Sequence, residues 1–410
     1  MRISRALFAD VSVLLDYYSR FNPSPLSIKK FLDFGQKGCE RQSYAFLRKE
    51  LPVRLANIMK EFSLLPAPLL HMPSVMTVQN WYLRSFEEIL TFEKIRIDDK
   101  KTLENFCETL IKIRNRHSNV VQTMARGVIE LKDTETIHAQ TEHSIQYFLH
   151  RFYLNRISIR MLINQHAALF GADLPGHPRH IGTIDPNCDV TSVVQDAYDN
   201  AKFLCDQYYM RSPELIVETF NVDKSGGPIS IVYVPSHLYH MAFELLKNAM
   251  RAVVEQHSDS DEFPPIKLLL VKGREDLSIK ISDMGGGISR SLTENLFHYM
   301  YSTAPKPQTD SQTAPLAGYG YGLPLSRLYA RYLQGDLMVA SVEGYGTDAI
   351  IYLKVLSNEA NEVLPVFNKT SSKHYRTHVG SHDYSTGGTT VNQFSQPFPI
   401  STFPVRSAGS

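Results

Sequence analysis

In the segment "HLYHMAFELLKNAMRAVVEQH", His237 to His257, a base, a carboxylate, two cations and an amide recur at helical steps: His240, Glu244, Lys247, Asn248 and Arg251. Residues four apart on a helix differ by about 40° in direction, so Glu244 and Asn248 face the same space. An amide oxygen beside a carboxylate suits a magnesium ion and a hydroxyl that must lose its proton. His240, one turn earlier, is placed to hydrogen-bond Glu244 and set its basicity. On a solvated face the same residues would make only ion pairs four apart. The flanking residues Leu238, Met241, Leu245, Ala249 and Ala252 make an apolar stripe, so the polar column belongs to a half-buried helix.

Three further segments supply complementary chemistry. "LSIKISDMGGGIS" ends an alternating strand at Asp283, just before Gly285, Gly286 and Gly287. A carboxylate held there can accept the exocyclic amine of adenine, a neutral donor that needs a fixed acceptor. "LAGYGYGLPLSRLYARYLQG" sets Gly318, Gly320 and Gly322, with Tyr319, Tyr321 and Leu323 between and after them, ahead of a helix opened by Pro324. Glycines let backbone N–H groups turn toward an anion, and a helix N-terminus adds a favourable dipole, a combination that cradles phosphates. Between the two glycine boxes, "YSTAPKPQTDSQTAPLAG" is polar and rich in breakers, as a mobile lid over a nucleotide would be. "GYGTDAIIYLKV" starts a strand at Thr347, whose hydroxyl can stand near Asp283. No GxxxxGK[ST] occurs, and no strand directly precedes the GxGxG box as a Rossmann turn requires. The triplet in "LDFG", Leu32 to Gly35, comes too early to follow an ATP lobe and has no HRD partner, so it is coincidence.

The elements that must position these residues follow from hydrophobic period. From about Asp10 to Phe170 the pattern is helical, in runs such as "TLENFCETLIKIRNRHSNVVQTMARGVIEL" separated by Pro-containing turns, which predicts a helical bundle. "GADLPGHPRHIGTIDPNCDV" marks a junction near residues 171 to 189. Beyond it "ISIVYV", "IKLLLVKG", "LSIKISD", "LMVASVEG" and "TDAIIYLKVL" read as strands, partly paired in hairpins and alternating with helices. The helix at His237 follows one of them, with Ser236 placed to cap it. The chain therefore reads as two domains: an all-α bundle over 1–175 and an α/β domain over 180–357. A tail over 358–410, rich in Ser, Thr, His, Gly and Pro, needs a partner surface to become ordered.

Composition narrows the partners. Among 410 residues, 43 Lys and Arg balance 42 Asp and Glu, which leaves no general electrostatic case for nucleic acid or membrane. Cys39, Cys107, Cys188 and Cys205 show no metal-ligand spacing and read as free thiols in a reducing compartment. No apolar run approaches the roughly 18 residues of a membrane span. Arg2, Ser4 and Arg5 before the first acid, Asp10, are compatible with a mitochondrial presequence, although the pattern alone favours a plain first helix.

The ordered set of ExxxN on a helix, DxGxG after a strand, a lid, GxGxG with a helix, and GT on a strand resembles the GHKL (Bergerat) nucleotide-binding fold. DNA gyrase, histidine kinases, the MutL mismatch-repair proteins and the ninety-kilodalton heat-shock chaperones share that fold. Longer strings resemble the mitochondrial pyruvate dehydrogenase kinases more closely: "VPSHLYHMAFELLKNAMRA", "YMYSTAP", "PLAGYGYGLPLSRLYARYLQGDL", "FNPSPLSIKKFLDFG" and "RFYLNRISIRMLINQH". The resemblance spans about residues 15 to 357. It implies a serine kinase of the mitochondrial matrix that uses ATP and magnesium to phosphorylate the alpha subunit of pyruvate dehydrogenase and switch the complex off. It further implies docking on the lipoyl domain of dihydrolipoyl acetyltransferase, and a homodimer.

By the same resemblance Glu244 polarises the substrate hydroxyl with His240 in support, and Asn248 holds magnesium. Lys247 and Arg251 lie near phosphates and Asp283 holds adenine, with Thr347 beside the base. Gly285, Gly287, Ser302, Thr303 and the loop from Gly318 to Leu323 complete the nucleotide site. Tyr82, Arg114, His117, Arg156 and Arg160 match a pocket for pyruvate or another small carboxylate, for which several arginines are apt. In place of the family's usual Asp-Trp pair in the tail, this chain has Asp383-Tyr384. The alternatives are the sister branched-chain ketoacid dehydrogenase kinase and an ATPase of the same fold without a protein acceptor.

Overall fold

The hydrophobic period changes where the backbone does. The structure, a computed structural model, describes residues 11–375 apart from 94, 96–99, 172–177, 223–227, 261 and 304–319. All described residues belong to one compact unit. After a helical stretch at residues 11–18, the helices are α1 (Ile28–Lys37), α2 (Glu40–Phe62), α3 (Ala67–Leu70), α4 (Pro73–Leu90), α5 (Lys100–Arg116), α6 (Val120–Thr134) and α7 (Ala139–Phe170). The longer ones pack as a bundle in which α7 touches α2 and α5. Its interior is aromatic: Phe62 meets Phe148 and Phe152 edge-on at 5.0 and 5.5 Å between ring centres. Such pairs add about 0.5–1.5 kcal/mol each beyond the area they bury. "LDFG" lies within α1, a packing helix, and makes no loop.

The second half contains β1 (Asp185–Asp189), α8 (Val190–Tyr209), β2 (Leu215–Asn221), β3 (Ser230–Tyr233), α9 (Pro235–Gln256), β4 (Ile266–Lys272) and β5 (Asp276–Asp283). It continues with α10 (Arg290–Thr293), α11 (Gly322–Tyr332), β6 (Asp336–Val342) and β7 (Gly346–Lys354). Five strands form one sheet in the order β2-β4-β5-β7-β6, with β2 parallel to β4 and the other pairs antiparallel. The β4–β5 and β6–β7 pairs are the expected hairpins. "ISIVYV" instead leaves that sheet, because β3 pairs with β1 in a separate two-stranded ribbon. Helices α8 and α9 pack on each other, α9 lies against β5, and α11 lies against β6 and β7. Leu268, Leu270, Ile279, Ile281 and Ile351 point into this contact and are buried. The opposite sheet face keeps Ile216, Phe220, Met338 and Val342 exposed.

Of the expected tail, residues 358–375 are described and pack on the same molecule, and residues 376–410 lie outside the described residues. Ala360 O accepts from Ile28 N, Val363 N donates to Tyr332 O, and Phe367 N donates to Asn57 Oδ1. α12 (Lys369–His374) follows, and the Tyr375 hydroxyl donates to Glu61 Oε2 at 2.9 Å. Glu362 is the anchor. Its carboxylate accepts both Arg54 guanidinium N–H groups at 2.8 Å, Leu26 N at 2.9 Å and the Tyr332 hydroxyl. The Asp383-Tyr384 pair lies outside the described residues.

Candidate functional site

Pro235 opens α9 at a position where its missing N–H costs nothing. The expected Ser236 cap is not made: the N-cap is Val234, without a side-chain bond, and Ser236 is already helical. Leu238, Met241, Leu245 and Ala249 are buried as the apolar stripe requires. The polar stripe faces a cleft of about 760 Å³, and His240, Glu244, Lys247, Asn248 and Arg251 all line it. Gly285, Gly287, Ser302, Thr303, Gly320, Tyr321, Gly322 and Leu323 line the same cleft.

Within the column, Glu244 Oε1 takes an ion pair from Lys247 Nζ at 2.9 Å, and Arg251 pairs with Glu255 at 2.8 Å. The expected hydrogen bond between His240 and Glu244 is not formed. The His240 ring turns to Tyr329 of α11, 4.9 Å away between centres, and its Nε2 is buried without a partner. Burial lowers the His240 pKa below the usual imidazole value, against the pull of Glu244, so the ring is neutral.

The glycine loop closes onto the same carboxylate. A Cβ at Gly322 would stand 2.4 Å from Glu244 Oε2, so a side chain there would displace the carboxylate. Gly320 has φ +67°, and a Cβ on it would meet Tyr301 O at 2.5 Å. Residues 321 to 325, the start of α11, line the cleft opposite α9. A helix N-terminus, two cations and a carboxylate thus converge on one space, which suits a polyphosphate and a hydroxyl to be deprotonated.

Asp283 and Thr347 do not themselves line the cleft, but Asp283 holds Gly285, which does. They are register partners across β5 and β7. Asp283 Oδ1 accepts Gly285 N at 2.9 Å. Burial pushes its carboxyl up to about 6, against the lowering effect of bonds from the Gly285 and Thr347 backbones. The Thr347 hydroxyl is 2.8 Å from Ser341 Oγ, so it has a partner of its own. Gly318, Tyr319 and the lid beyond Thr303 lie outside the described residues. The sequence reading missed Glu255, which extends the column by a further turn, and the apolar wall of Ile288, Leu292 and Leu296. The four-residue spacing of that wall was its available signal.

A second cluster sits in the helical layer. Tyr82 and His117 stack at 4.5 Å, and His117 Nε2 is 3.0 Å from Ser85 Oγ. Arg156 donates to His117 O at 3.1 Å, and Arg160 to Arg114 O at 3.4 Å. Burial, aided by Arg156, Arg116 and Arg160, pushes the His117 imidazole down to about 3. Burial and Arg156 together lower the Arg160 pKa. The Tyr82 hydroxyl and Arg156 Nε are buried without hydrogen-bond partners. Among the described residues, none of Arg114, Arg156 and Arg160 has a carboxylate partner. All five expected residues therefore come together around unbalanced positive charge.

Comparison with known proteins agrees with both halves. Residues 25–185 match the family described as mitochondrial branched-chain alpha-ketoacid dehydrogenase kinase. Residues 233–357 match the histidine kinase-, DNA gyrase B-, and HSP90-like ATPase family. The mitochondrial pyruvate dehydrogenase (acetyl-transferring) kinase of Drosophila melanogaster is 60% identical over 383 residues, covering 92% of each chain. Isozyme 3 of Homo sapiens is 58% identical over 390 residues, 94% of this chain and 96% of the relative. Isozyme 4 of Mus musculus is 56% identical over 372 residues, 90% of each. With the cleft, the GHKL-type domain and this identity along nearly its whole length, the chain belongs to the mitochondrial pyruvate dehydrogenase kinases, a family of ATP-dependent protein kinases.

Proposed function

We propose that the chain transfers the γ-phosphoryl group of ATP to serine hydroxyls on the alpha subunit of pyruvate dehydrogenase, inactivating the complex and so restraining glucose oxidation and acetyl-CoA supply. The observation that carries this reading is the Glu244 carboxylate in the nucleotide cleft, directly against Gly322 of the phosphate loop. Phosphoryl transfer needs mainly positioning and charge stabilisation. Glu244 accepts the serine proton, and neutral His240 supports the carboxylate without competing for that proton. Lys247, Arg251 and the start of α11 take the phosphates. Asn248 is exposed in the cleft one turn beyond Glu244 and offers an amide oxygen of the kind magnesium accepts beside phosphate oxygens and water. Magnesium bound there would supply charge neutralisation for the phosphates.

Asp283 takes the adenine amine, with Thr347 beside the base and Gly285, Gly287, Ser302, Thr303 and the Gly318–Leu323 loop around the nucleotide. Only the ionised carboxyl is a pure acceptor. ATP affinity should therefore fall as pH drops through about 6, the value to which burial raises Asp283. Asp283→Ala should abolish binding at every pH. Titration of ATP into both proteins between pH 5 and 8 checks this, and unchanged affinity in the variant would remove the adenine assignment.

In this reading the chain works in the mitochondrial matrix as two functional halves, 1–175 and 180–357, with 358–410 as tail. Tyr82, Arg114, His117, Arg156 and Arg160 take pyruvate or a similar small carboxylate, supported by the partnerless Tyr82 hydroxyl and Arg156 Nε. The helical half docks on the lipoyl domain of dihydrolipoyl acetyltransferase. The exposed apolar residues of the open sheet face support a homodimer.

The match of residues 25–185 to the branched-chain kinase family makes that sister substrate the competing reading. Labelled ATP offered with either dehydrogenase, with and without the acetyltransferase core, separates the two. Core-stimulated labelling of pyruvate dehydrogenase is expected, and labelling of the branched-chain enzyme alone would overturn the assignment.

A further inference from the structure

Helix α7 reaches out of the helical layer to touch α11, the helix that follows the glycine loop. At this crossing Gln146 pairs with a backbone peptide of the α/β half. Tyr299 N donates to Gln146 Oε1 at 2.8 Å, and Gln146 Nε2 donates to Tyr299 O at 3.0 Å. The two bonds copy the reciprocal pairing of antiparallel strands, which fixes both the position and the orientation of the peptide. Glu142 Oε1, one turn back on α7, accepts from the same Nε2 at 2.9 Å and holds the amide in this orientation.

The gripped peptide begins the arm that enters the nucleotide cleft. Met300 has φ +66°, a strained value for a residue with a side chain. Its N–H donates to Gly320 O at 3.0 Å, tying the arm to the glycine loop. Tyr301, Ser302 and Thr303 then line the cleft. Behind the arm, Tyr153 of α7, Tyr299 and Tyr321 form a buried triangle with ring centres 5.4 to 5.7 Å apart. Tyr321 belongs to the glycine loop itself. The arm and the loop are thus held from one helix, by an amide at Gln146 and a ring at Tyr153. Arg156 of the arginine cluster lies on the same helix, three residues beyond Tyr153.

We propose that Gln146 is a positioning residue for nucleotide binding: it holds the Tyr299–Thr303 arm, and through Gly320 the phosphate loop, in the geometry that receives ATP. The helical layer sets the shape of the cleft through this amide. The inference rests on the reading of the cleft as the ATP site.

The test uses the full chain with Gln146→Met, which keeps length and removes both bonds, and Gln146→Glu, which keeps the acceptor for Tyr299 N and loses the donor. Equilibrium Kd for ADP and ATP, KM for ATP, kcat, and Tm without nucleotide are measured for each. Loss of both bonds to Tyr299 should weaken nucleotide binding about tenfold in Gln146→Met; Gln146→Glu loses the bonds from Nε2 to Tyr299 O and Glu142 and sets a carboxylate against both acceptors, so it should weaken binding by about tenfold or more. KM should rise by the same factors while kcat at saturation stays within about twofold, because the interactions act on binding and not on the transferred proton. Wild-type Kd and KM in folded Gln146→Met would overturn the proposal. If that variant does not fold, Gln146→Glu decides by the same criterion. Failure of the wild-type chain to bind ATP would instead remove the reading of the cleft, so the two failures are distinguishable.

Discussion

Glu244→Gln should bind ATP about as tightly as the wild type and lose phosphoryl transfer by about 10²- to 10⁴-fold, the usual contribution of a positioned general base. The substitution preserves shape beside Gly322, where a Cβ would stand 2.4 Å from Glu244 Oε2, so the glycine loop need not move. What changes is the ability to accept a proton. The Lys247 ion pair at 2.9 Å is also lost, freeing that cation for the phosphates, so nucleotide affinity should hold or rise slightly. Single-turnover transfer and ATP binding, measured side by side, check the split. Transfer at the wild-type rate would eliminate Glu244 as the base, and loss of ATP binding would make it a binding residue.

Glu362→Ala should be the most destabilising single change outside the cleft. Arg54 and the Glu362 side chain have no exposed surface, and their bidentate pair is reinforced by Leu26 N and the Tyr332 hydroxyl. Truncation leaves a guanidinium buried with Glu50 as its remaining carboxylate partner. Breaking a buried pair in this way costs about 3–5 kcal/mol, which for one cooperative unit of this size is a fall in Tm of roughly 5 °C. Glu362→Gln, which keeps shape and one strong acceptor, should fall between. Thermal unfolding of the three proteins checks the order, and a Tm unchanged by Glu362→Ala would mean that residues 357–375 do not anchor the helical layer. Because Tyr332 ends α11, the same variant should also loosen the helix that follows the phosphate loop.

Local pattern made much of this legible. The polar column on α9 followed from spacing alone, since helical period fixes which side chains share a face. The strands β3 to β7 were visible as short β-branched runs between breakers. β2 was not, because it is an edge strand with five of its seven residues exposed, and burial is what creates alternation. β1 reads "DPNCD", a turn-like string that becomes a strand only by pairing with β3.

Two kinds of feature lay beyond such reading. Direction along a helix does not decide which neighbour a side chain chooses: His240 and Glu244 share a face, yet Tyr329 and Lys247 take them. Contacts between distant segments leave no local trace, as with Arg54 and Glu362 at a separation of 308 residues, or Gln146 and Tyr299 at 153. Nor could composition show that residues 358–375 lie against α1, α2 and α11 of the same chain.

In the proposed function the α9 cleft delivers phosphate from ATP to a serine hydroxyl of a protein. The most direct test is to incubate the chain with ATP labelled at the γ-position, magnesium and pyruvate dehydrogenase, and to locate the label by mass spectrometry. Phosphoserine on the alpha subunit, absent when Glu244→Gln is used, is the predicted result. ATP consumed to free phosphate, with no labelled serine, would overturn the kinase assignment and leave a GHKL-type ATPase without a protein acceptor.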